Sequence, residues 1–131
     1  MRADPRLHGL YVITDKELCA SIGIVDSVAA AIDGGARIFQ YRDKSVDHER
    51  RLREACALVE LCNAHDAILL VNDDVSLARE AKAHGVHLGS EDESITTARE
   101  KLGSHAIIGV SCYSHFSLAE EAAKAGTDYV A

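Results

Sequence analysis

The stretch HERRLREACALVELCNAHDAILLVND, residues 48–73, contains two different hydrophobic patterns in direct succession. In its first part the apolar side chains recur at three- and four-residue intervals, which places them on one face of an α-helix. These residues are Leu52, Ala55, Cys56, Val59 and Cys62. The run AILLVND that follows, residues 67–73, is short and almost continuously apolar, which indicates a buried strand. The stretch therefore predicts a helix that leads into a strand.

The same alternation continues on both sides of this stretch. Short apolar runs predict strands at 10–14, 37–42, 67–73, 85–89, 106–112 and 127–131. Amphipathic stretches between them predict helices at 25–33, 48–65, 76–84, 94–102 and 116–125. A glycine stands between helix and strand in DGGARIF, AHGVHL and KAGTDYV, where the left-handed conformation that ends many helices suits glycine. The chain therefore predicts five βα units and a sixth strand, all strands being parallel because the crossovers are helical.

Two architectures fit parallel strands joined in this way, an open doubly wound sheet and a (β/α) barrel. Val130 and Ala131 lie inside an apolar strand with no helix after it, whereas an open sheet normally covers its last strand. A complete barrel needs roughly 200 residues or more, and the chain has 131. We therefore predict one α/β domain, residues 1–131, that is the N-terminal part of a (β/α)8 TIM barrel, truncated at its C-terminus.

The composition is that of a compact folded domain and argues against several classes of function. Asp and Glu (21) outnumber Lys and Arg (14), and the formal net charge of −7 argues against non-specific nucleic-acid binding. No apolar stretch approaches the ~20 residues that span a bilayer, and the N-terminus lacks the apolar segment of a secretory signal, so we expect a cytoplasmic protein without a membrane partner. The four cysteines are not spaced as zinc ligands, and we expect them to be reduced structural thiols.

The segment QYRDK, residues 40–44, follows the second predicted strand. Because successive side chains of an extended segment point to opposite faces, Gln40, Arg42 and Lys44 share one side, and Tyr41 and Asp43 point to the other. The planar fork of an arginine and the compact charge of a lysine together suit a diphosphate. The segment is either a solvated loop or one half of an anion site.

Acidic residues follow the third and fourth predicted strands. Asp73 and Asp74 come directly after Asn72, and Asp92 follows the fourth strand. Carboxylates at these strand ends are suited to Mg²⁺, which binds one or two carboxylates together with substrate phosphates. Asp is also a preferred helix N-cap, and we favour that role for Asp74 and, by the same reasoning, for Ser94. The rim of strand ends therefore predicts a magnesium-diphosphate site.

Two further polar residues belong to the fourth and fifth strands. Ser111 follows the fifth strand, where its hydroxyl could reach a phosphate oxygen. His87 lies inside GVHLG, so it points either into the barrel or under a helix. For His87 we favour a hydrogen-bonded structural role.

The strand-end motifs, taken in order, resemble the thiamine-phosphate synthase family, also called thiamine-phosphate pyrophosphorylase. They are LYVITD (10–15), QYRDK (40–44), VNDD (71–74), HGVHLGSED (84–92), IIGVSC (107–112) and AGTDYV (125–130). The resemblance implies a (β/α)8 barrel, in the thiamine biosynthesis pathway, that condenses 4-amino-2-methyl-5-(diphosphooxymethyl)pyrimidine with 4-methyl-5-(2-phosphooxyethyl)thiazole. The products are thiamine phosphate and diphosphate, and the cofactor is Mg²⁺. It also implies that the diphosphate leaves first and that the thiazole captures a pyrimidine-methyl cation.

The resemblance also implies roles for individual residues. The residues expected to bind the pyrimidine diphosphate are Gln40, Arg42, Lys44, Asn72 and Ser111, with Tyr41 and Asp43 as members of the same QYRDK segment. The expected magnesium ligands are Asp73 and Asp92. The residues expected to stabilise the leaving group are Arg42, Lys44 and Ser111.

Other interpretations stay open at this point. The family's later strand-end loops, which would hold the thiazole phosphate, have no counterpart in this chain, so the chain is either part of a synthase or a catalytically incomplete fragment. A related thiazole tautomerase and, from another class, a magnesium-binding receiver module of the flavodoxin type are the alternatives. We expect small-molecule substrates as partners, and an unpaired edge strand that favours self-association.

Overall fold

The computed structural model describes residues 4–131, in which six strands alternate with five helices. The strands are β1 (Tyr11–Ile13), β2 (Ile38–Tyr41), β3 (Ile68–Asn72), β4 (Gly85–Leu88), β5 (Ile107–Val110) and β6 (Tyr129–Val130). The helices are α1 (Ile24–Asp33), α2 (His48–Ala64), α3 (Val75–Glu80), α4 (Ile95–Leu102) and α5 (Phe116–Lys124). Every predicted element is therefore confirmed, and most differences in their bounds amount to one or two residues.

The largest difference is at the end of α3. This helix ends at Glu80 because Lys82 adopts the left-handed conformation, with φ of 55°. Gly85 is the first residue of β4, as its predicted range has it, but it does not adopt the left-handed conformation expected of a glycine that ends a helix. A Cβ there would lie 1.8 Å from a backbone oxygen of β5. The glycine prediction is confirmed after α1 and α5, where Gly35 and Gly126 have φ of 102° and 86°.

Two of the helix starts were predicted from the sequence. The Asp74 carboxylate accepts a hydrogen bond from the backbone N–H of Leu77, and the Ser94 hydroxyl accepts one from Thr97, as expected for N-caps. Within the described part of the chain, no helix has the length and apolar character that a membrane crossing requires.

The six strands form one parallel sheet in the order β1-β2-β3-β4-β5-β6. Each strand therefore pairs with its neighbours in the sequence, as Phe39 of β2 does with Leu69 of β3. A receiver module of the flavodoxin type has a switch point at which the strand order reverses. The sequential order contradicts that alternative and is the order of strands in a barrel wall.

The two faces of the sheet carry different cores. Phe39 and Leu69 point outward and pack with helical residues such as Leu58 in the main hydrophobic core. Ile38 and Leu70 point inward and belong to a smaller apolar cluster. Because alternate side chains occupy opposite faces, β1, β2, β3 and β5 each contribute to both cores.

The sheet curls so that the inner faces of its first and last strands meet. The hydroxyls of Tyr11 on β1 and Tyr129 on β6 are 2.6 Å apart, and their rings pack edge to face with centroids 5.8 Å apart. The structure is thus an α/β fold with a curled, singly wound wall of six parallel strands, and the carboxyl ends of those strands share one rim.

Candidate active site

The structure divides QYRDK into two faces, as strand alternation predicts. On the inner face, Gln40 is almost fully buried and its Nε2 donates to the hydroxyl of Tyr11 over 2.9 Å. Arg42 and Lys44 follow at the exposed end of β2 and line one cavity, whereas Gln40 lies deeper and lines an adjoining one. The three side chains therefore point toward the same interior, at two depths.

Tyr41 and Asp43 point to the other face, toward α2. The Tyr41 hydroxyl donates to Glu54 Oε2 over 2.6 Å, and the ring is 1% exposed. The Asp43 carboxylate accepts a bond of 2.8 Å from Arg50 Nη1. Both side chains are thus held against the helix, and neither lines the cavity that Arg42 shares with Lys44, although Asp43 lines an adjoining one with Lys44. Contact of Tyr41 and Asp43 with the diphosphate stays a prediction.

The predicted residues at the ends of β2 to β5 converge on one cavity of about 310 Å³. Those lining it are Arg42, Lys44, Asn72, Asp73, Asp92 and Ser111. His87 and Tyr113, which the sequence interpretation left outside the site, line it as well. Cations, carboxylates and a hydroxyl thus share a space large enough for a small phosphorylated ligand.

Lys44 and Asp73 form an ion pair across this cavity. Asp73 has φ of 64°, a left-handed conformation that is uncommon for residues other than glycine, and its backbone N–H bonds to the carbonyl oxygen of His87 over 2.8 Å. Strained backbone of this kind is concentrated at functional sites. With this backbone conformation the Asp73 carboxylate lines the cavity, while Asp74 turns away to cap α3.

Asp73 and Asp92 are two carboxyl groups in mutual contact. Burial raises the pKa of Asp73, but the bonds from Lys44 and Asp92 outweigh burial and hold this pKa below its ordinary value. Burial and the neighbouring Asp73 raise the pKa of Asp92, although its Oδ2 accepts the Gly89 N–H at 2.6 Å. The two carboxyl groups thus have opposite shifts: Asp73 ionises more readily than a free carboxyl group, and Asp92 less readily.

A chain of hydrogen bonds lies below the cavity on the inner face. The Ser111 hydroxyl is 2.8 Å from His87 Nε2, and His87 Nδ1 is 2.8 Å from the Tyr129 hydroxyl. That hydroxyl contacts Tyr11, which in turn accepts from Gln40. The chain joins side chains from β1, β2, β4 and β6 with Ser111 at the end of β5, so it links the floor of the cavity across the curled sheet.

His87 is the central member of this chain. Burial lowers the pKa of His87, which favours the neutral imidazole with one donor and one acceptor nitrogen. Its predicted hydrogen-bonded role is confirmed, and its ring also stacks on that of Tyr129. The alternation in the sequence left open whether the His87 side chain points inward or outward. In the structure His87 lies opposite Gly109 in the register of β4 and β5, and its side chain points inward.

The comparisons with known proteins agree with this geometry. The family model for thiamine monophosphate synthase matches residues 10–131. A thiamine-phosphate synthase of Chromobacterium violaceum is 51% identical over 127 residues, which are 97% of this chain and 61% of that protein. The thiamine-phosphate synthase of Nitrosococcus oceani is 49% identical over 125 residues, which are 95% of this chain and 58% of the relative.

A solved structure has the same fold. The thiamine phosphate pyrophosphorylase from Pyrococcus furiosus matches with a TM-score of 0.82 and 39% sequence identity, covering 92% of this chain and 57% of that one. The chain thus spans about three fifths of the length of the proteins it matches. The matched region includes every residue that lines the cavity. The chain belongs to the thiamine monophosphate synthase family.

Proposed function

We propose that the chain supplies the pyrimidine-diphosphate half of a thiamine-phosphate synthase, a transferase of thiamine biosynthesis. The reaction joins 4-amino-2-methyl-5-(diphosphooxymethyl)pyrimidine to 4-methyl-5-(2-phosphooxyethyl)thiazole and releases diphosphate. The names of the relatives support the reaction, and the sequential strand order supports a complete (β/α)8 barrel in the whole enzyme. Further strands of that barrel would hold the thiazole phosphate.

One observation carries the proposal, namely that two cations and the carboxylates at the ends of β3 and β4 line a single cavity. Arg42 and Lys44 enter it from β2, Asp73 from the end of β3, and Asp92 from the loop after β4. A diphosphate has several negative oxygens, so its binding needs fixed cations and gains from a metal ion. A carboxylate substrate alone would not need an acidic pair beside the cations.

The acidic pair fits Mg²⁺ as the cofactor. Asp73 and Asp92 place two carboxyl groups in contact, and the Lys44 ammonium already neutralises one of them. Over residues 4–131, no group of three or more His, Cys, Asp or Glu side chains is placed to hold a metal. The ion would therefore share its remaining positions with water and substrate phosphate, as Mg²⁺ commonly does. It would supply positive charge to the departing diphosphate.

The chain's own residues would act on the leaving group and on the pyrimidine. Arg42 and Lys44 would bind the diphosphate oxygens and stabilise the charge that develops on them. The Ser111 hydroxyl, held by neutral His87, would donate to or accept from the substrate at the floor of the cavity. The buried Gln40 would present its amide deeper in the same interior, where Tyr11 orients it.

The thiazole tautomerase alternative has less support. Tautomerisation moves a proton and releases no diphosphate, so it gives no role to the pairing of Lys44 with Asp73 or to the adjacent Asp92. We therefore retain the synthase as the proposed function.

A chimera tests the proposal directly. Residues 1–131 are joined to the remaining C-terminal segment of the Chromobacterium violaceum relative, and thiamine phosphate formation is assayed with both substrates and Mg²⁺. We expect activity in the chimera, a large loss in Arg42→Ala, and an unchanged rate in Arg53→Ala, which removes an exposed cation from α2. A folded chimera without activity, or equal loss in both variants, would contradict the proposal.

A further inference from the structure

The inner and outer faces of the QYRDK segment are held in different ways. Tyr41 and Asp43 bond to α2, as described above, and the next outward residue, Ser45, does the same through its hydroxyl. Arg42 and Lys44, on the opposite face, have long exposed side chains. On that face the backbone N–H of Arg42 donates to Thr14 Oγ1 over 3.0 Å, and the Lys44 ammonium pairs with Asp73. The path of the backbone that carries the two cations therefore also depends on how the outer face is fixed.

One side chain holds the outer face together. Arg50, in the first turn of α2, donates from Nη1 to Asp43 over 2.8 Å and to Glu54 over 3.0 Å, and from Nη2 to Ser45 over 2.6 Å. Glu54 in turn accepts the Tyr41 hydroxyl. A single guanidinium thus connects, directly or through one carboxylate, all three outward side chains of the segment from position 41 to position 45.

The network is protected from solvent. The Asp43 side chain is 3% exposed and that of Arg50 is 20% exposed. Asp43 also accepts the backbone N–H of Ser45 over 2.8 Å, which closes a tight turn directly after Lys44. Charge-assisted bonds in a buried setting resist competition from water. The segment is therefore fixed before a ligand arrives, which lowers the entropy cost of binding.

We propose that Arg50 is a positioning residue of the diphosphate site, which aims Arg42 and Lys44 by fixing the opposite face of their segment. The identity of the ligand rests on the proposed function, but the positioning of Arg42 and Lys44 by Arg50 depends on the fold alone. Arg50 does not line the cavity of Arg42 and Lys44, so its effect is transmitted through the backbone between positions 41 and 45. Small displacements of binding groups have large effects on how a site performs.

The test compares Arg50→Ala with the unaltered 131-residue chain and with Arg50→Lys. Backbone order at residues 42–45 is measured by NMR relaxation, and affinity for magnesium diphosphate is measured by calorimetry. We expect Arg50→Ala to lose order in this segment and to weaken binding at least about tenfold, as changes to residues that orient binding groups commonly do. Arg50→Lys keeps the charge but cannot bond to three partners at once. It should therefore recover only part of the backbone order and part of the affinity.

Two controls separate positioning from loss of stability. Val28→Ala removes buried methyl groups from α1, outside residues 41–45, so it should lower the free energy of unfolding and leave diphosphate affinity unchanged. In an Asp43→Asn background, Arg50→Ala should have a smaller effect on affinity, because part of the effect of Arg50 passes through its bond to Asp43.

The outcomes for the two hypotheses are distinct. If the unaltered chain binds no magnesium diphosphate, the proposed function is contradicted, and the relaxation data still decide the positioning role. If the unaltered chain binds and Arg50→Ala matches it in affinity and in segment order, the positioning role is wrong. A loss of affinity equal to that in Val28→Ala would also overturn it.

Discussion

Gly109 lies directly opposite Tyr129 in the register of β5 and β6, and a Cβ on Gly109 would lie 1.9 Å from Cζ of the tyrosine ring. The missing side chain on β5 therefore makes the space in which the ring of β6 lies. From that position the hydroxyl of Tyr129 contacts both Tyr11 and His87. The glycine thus determines the geometry of the hydrogen-bonded floor below the cavity.

Gly109→Ala is expected to displace the ring of Tyr129. Overpacking of this kind lowers the free energy of unfolding by about 1 to 3 kcal/mol, which urea denaturation measures. Because the clash is with a side chain, adding Tyr129→Leu should restore most of the stability.

Gly85→Ala is the matched control for that rescue. A Cβ at Gly85 would lie 1.8 Å from the Ile107 carbonyl oxygen, so its clash is with backbone. We expect no substitution at Tyr129 to restore the stability of Gly85→Ala. Equal rescue of both glycine variants would show that Tyr129 does not fill the space above Gly109.

Tyr11→Phe is expected to break the hydrogen-bond chain at its link between β1 and β6. The change leaves Gln40 Nε2 and the Tyr129 hydroxyl without this partner in a half-buried setting. The cost should be about 1 to 3 kcal/mol of unfolding free energy. Tyr113→Phe, at a ring that is 66% exposed, should change it by no more than ~0.5 kcal/mol. Equal values for the two variants would count against the chain of bonds.

Asp92→Asn is expected to remove the dependence of diphosphate binding on Mg²⁺. The amide oxygen can still accept the Gly89 N–H, and contact between two carboxyl groups is relieved, so the stability of the metal-free protein should hold or rise. Calorimetry with and without Mg²⁺ measures the difference. Glu93→Gln, at a neighbouring carboxylate that pairs with Lys101, should keep the full Mg²⁺ effect. Retention of that effect in Asp92→Asn would remove Asp92 from the proposed metal ligands.

The Asp43 network should make stability depend on pH in the acid range. Burial raises the pKa of Asp43, but the bonds from Arg50 and Ser45 outweigh burial and hold this pKa below its ordinary value of 3.8. A carboxyl whose pKa is lower in the folded state stabilises the fold above its unfolded pKa, and this contribution is lost as pH falls through the folded value. The unaltered protein should therefore be more stable than Asp43→Asn at about pH 7, by a margin that shrinks below about pH 4. A margin that stays constant under acid conditions would contradict this role.

The main features of the fold could be predicted from the sequence because two hydrophobic periods alternate without interruption. The alternation within QYRDK also separates Gln40, Arg42 and Lys44 from Tyr41 and Asp43. The structure follows that division, because Tyr41 and Asp43 bond to α2, whereas the resemblance covers the whole motif and does not predict it. Their actual partners, Arg50 and Glu54, lie on the following helix.

The floor of the cavity was harder to predict. Tyr11 and Tyr129 are 118 residues apart, and their contact depends on how strongly the sheet curls, which local sequence does not encode. His87 was recognised as hydrogen-bonded, but its partners were not, because its direction depends on strand register. The sequence did contain one signal that could have been used. Gly109 interrupts an otherwise bulky strand, which suggests a large side chain on the adjacent strand.

The sequential strand order also bears on how the molecule is assembled. Every strand after the first pairs with the one that precedes it in the chain, so each βα unit can join the sheet as it leaves the ribosome. The contact between Tyr11 and Tyr129 needs both β1 and β6 and can form only when the sixth strand has been made. We therefore expect the cationic segment of β2 to be in place early in synthesis, and the hydrogen-bonded floor beneath it to be completed only after β6.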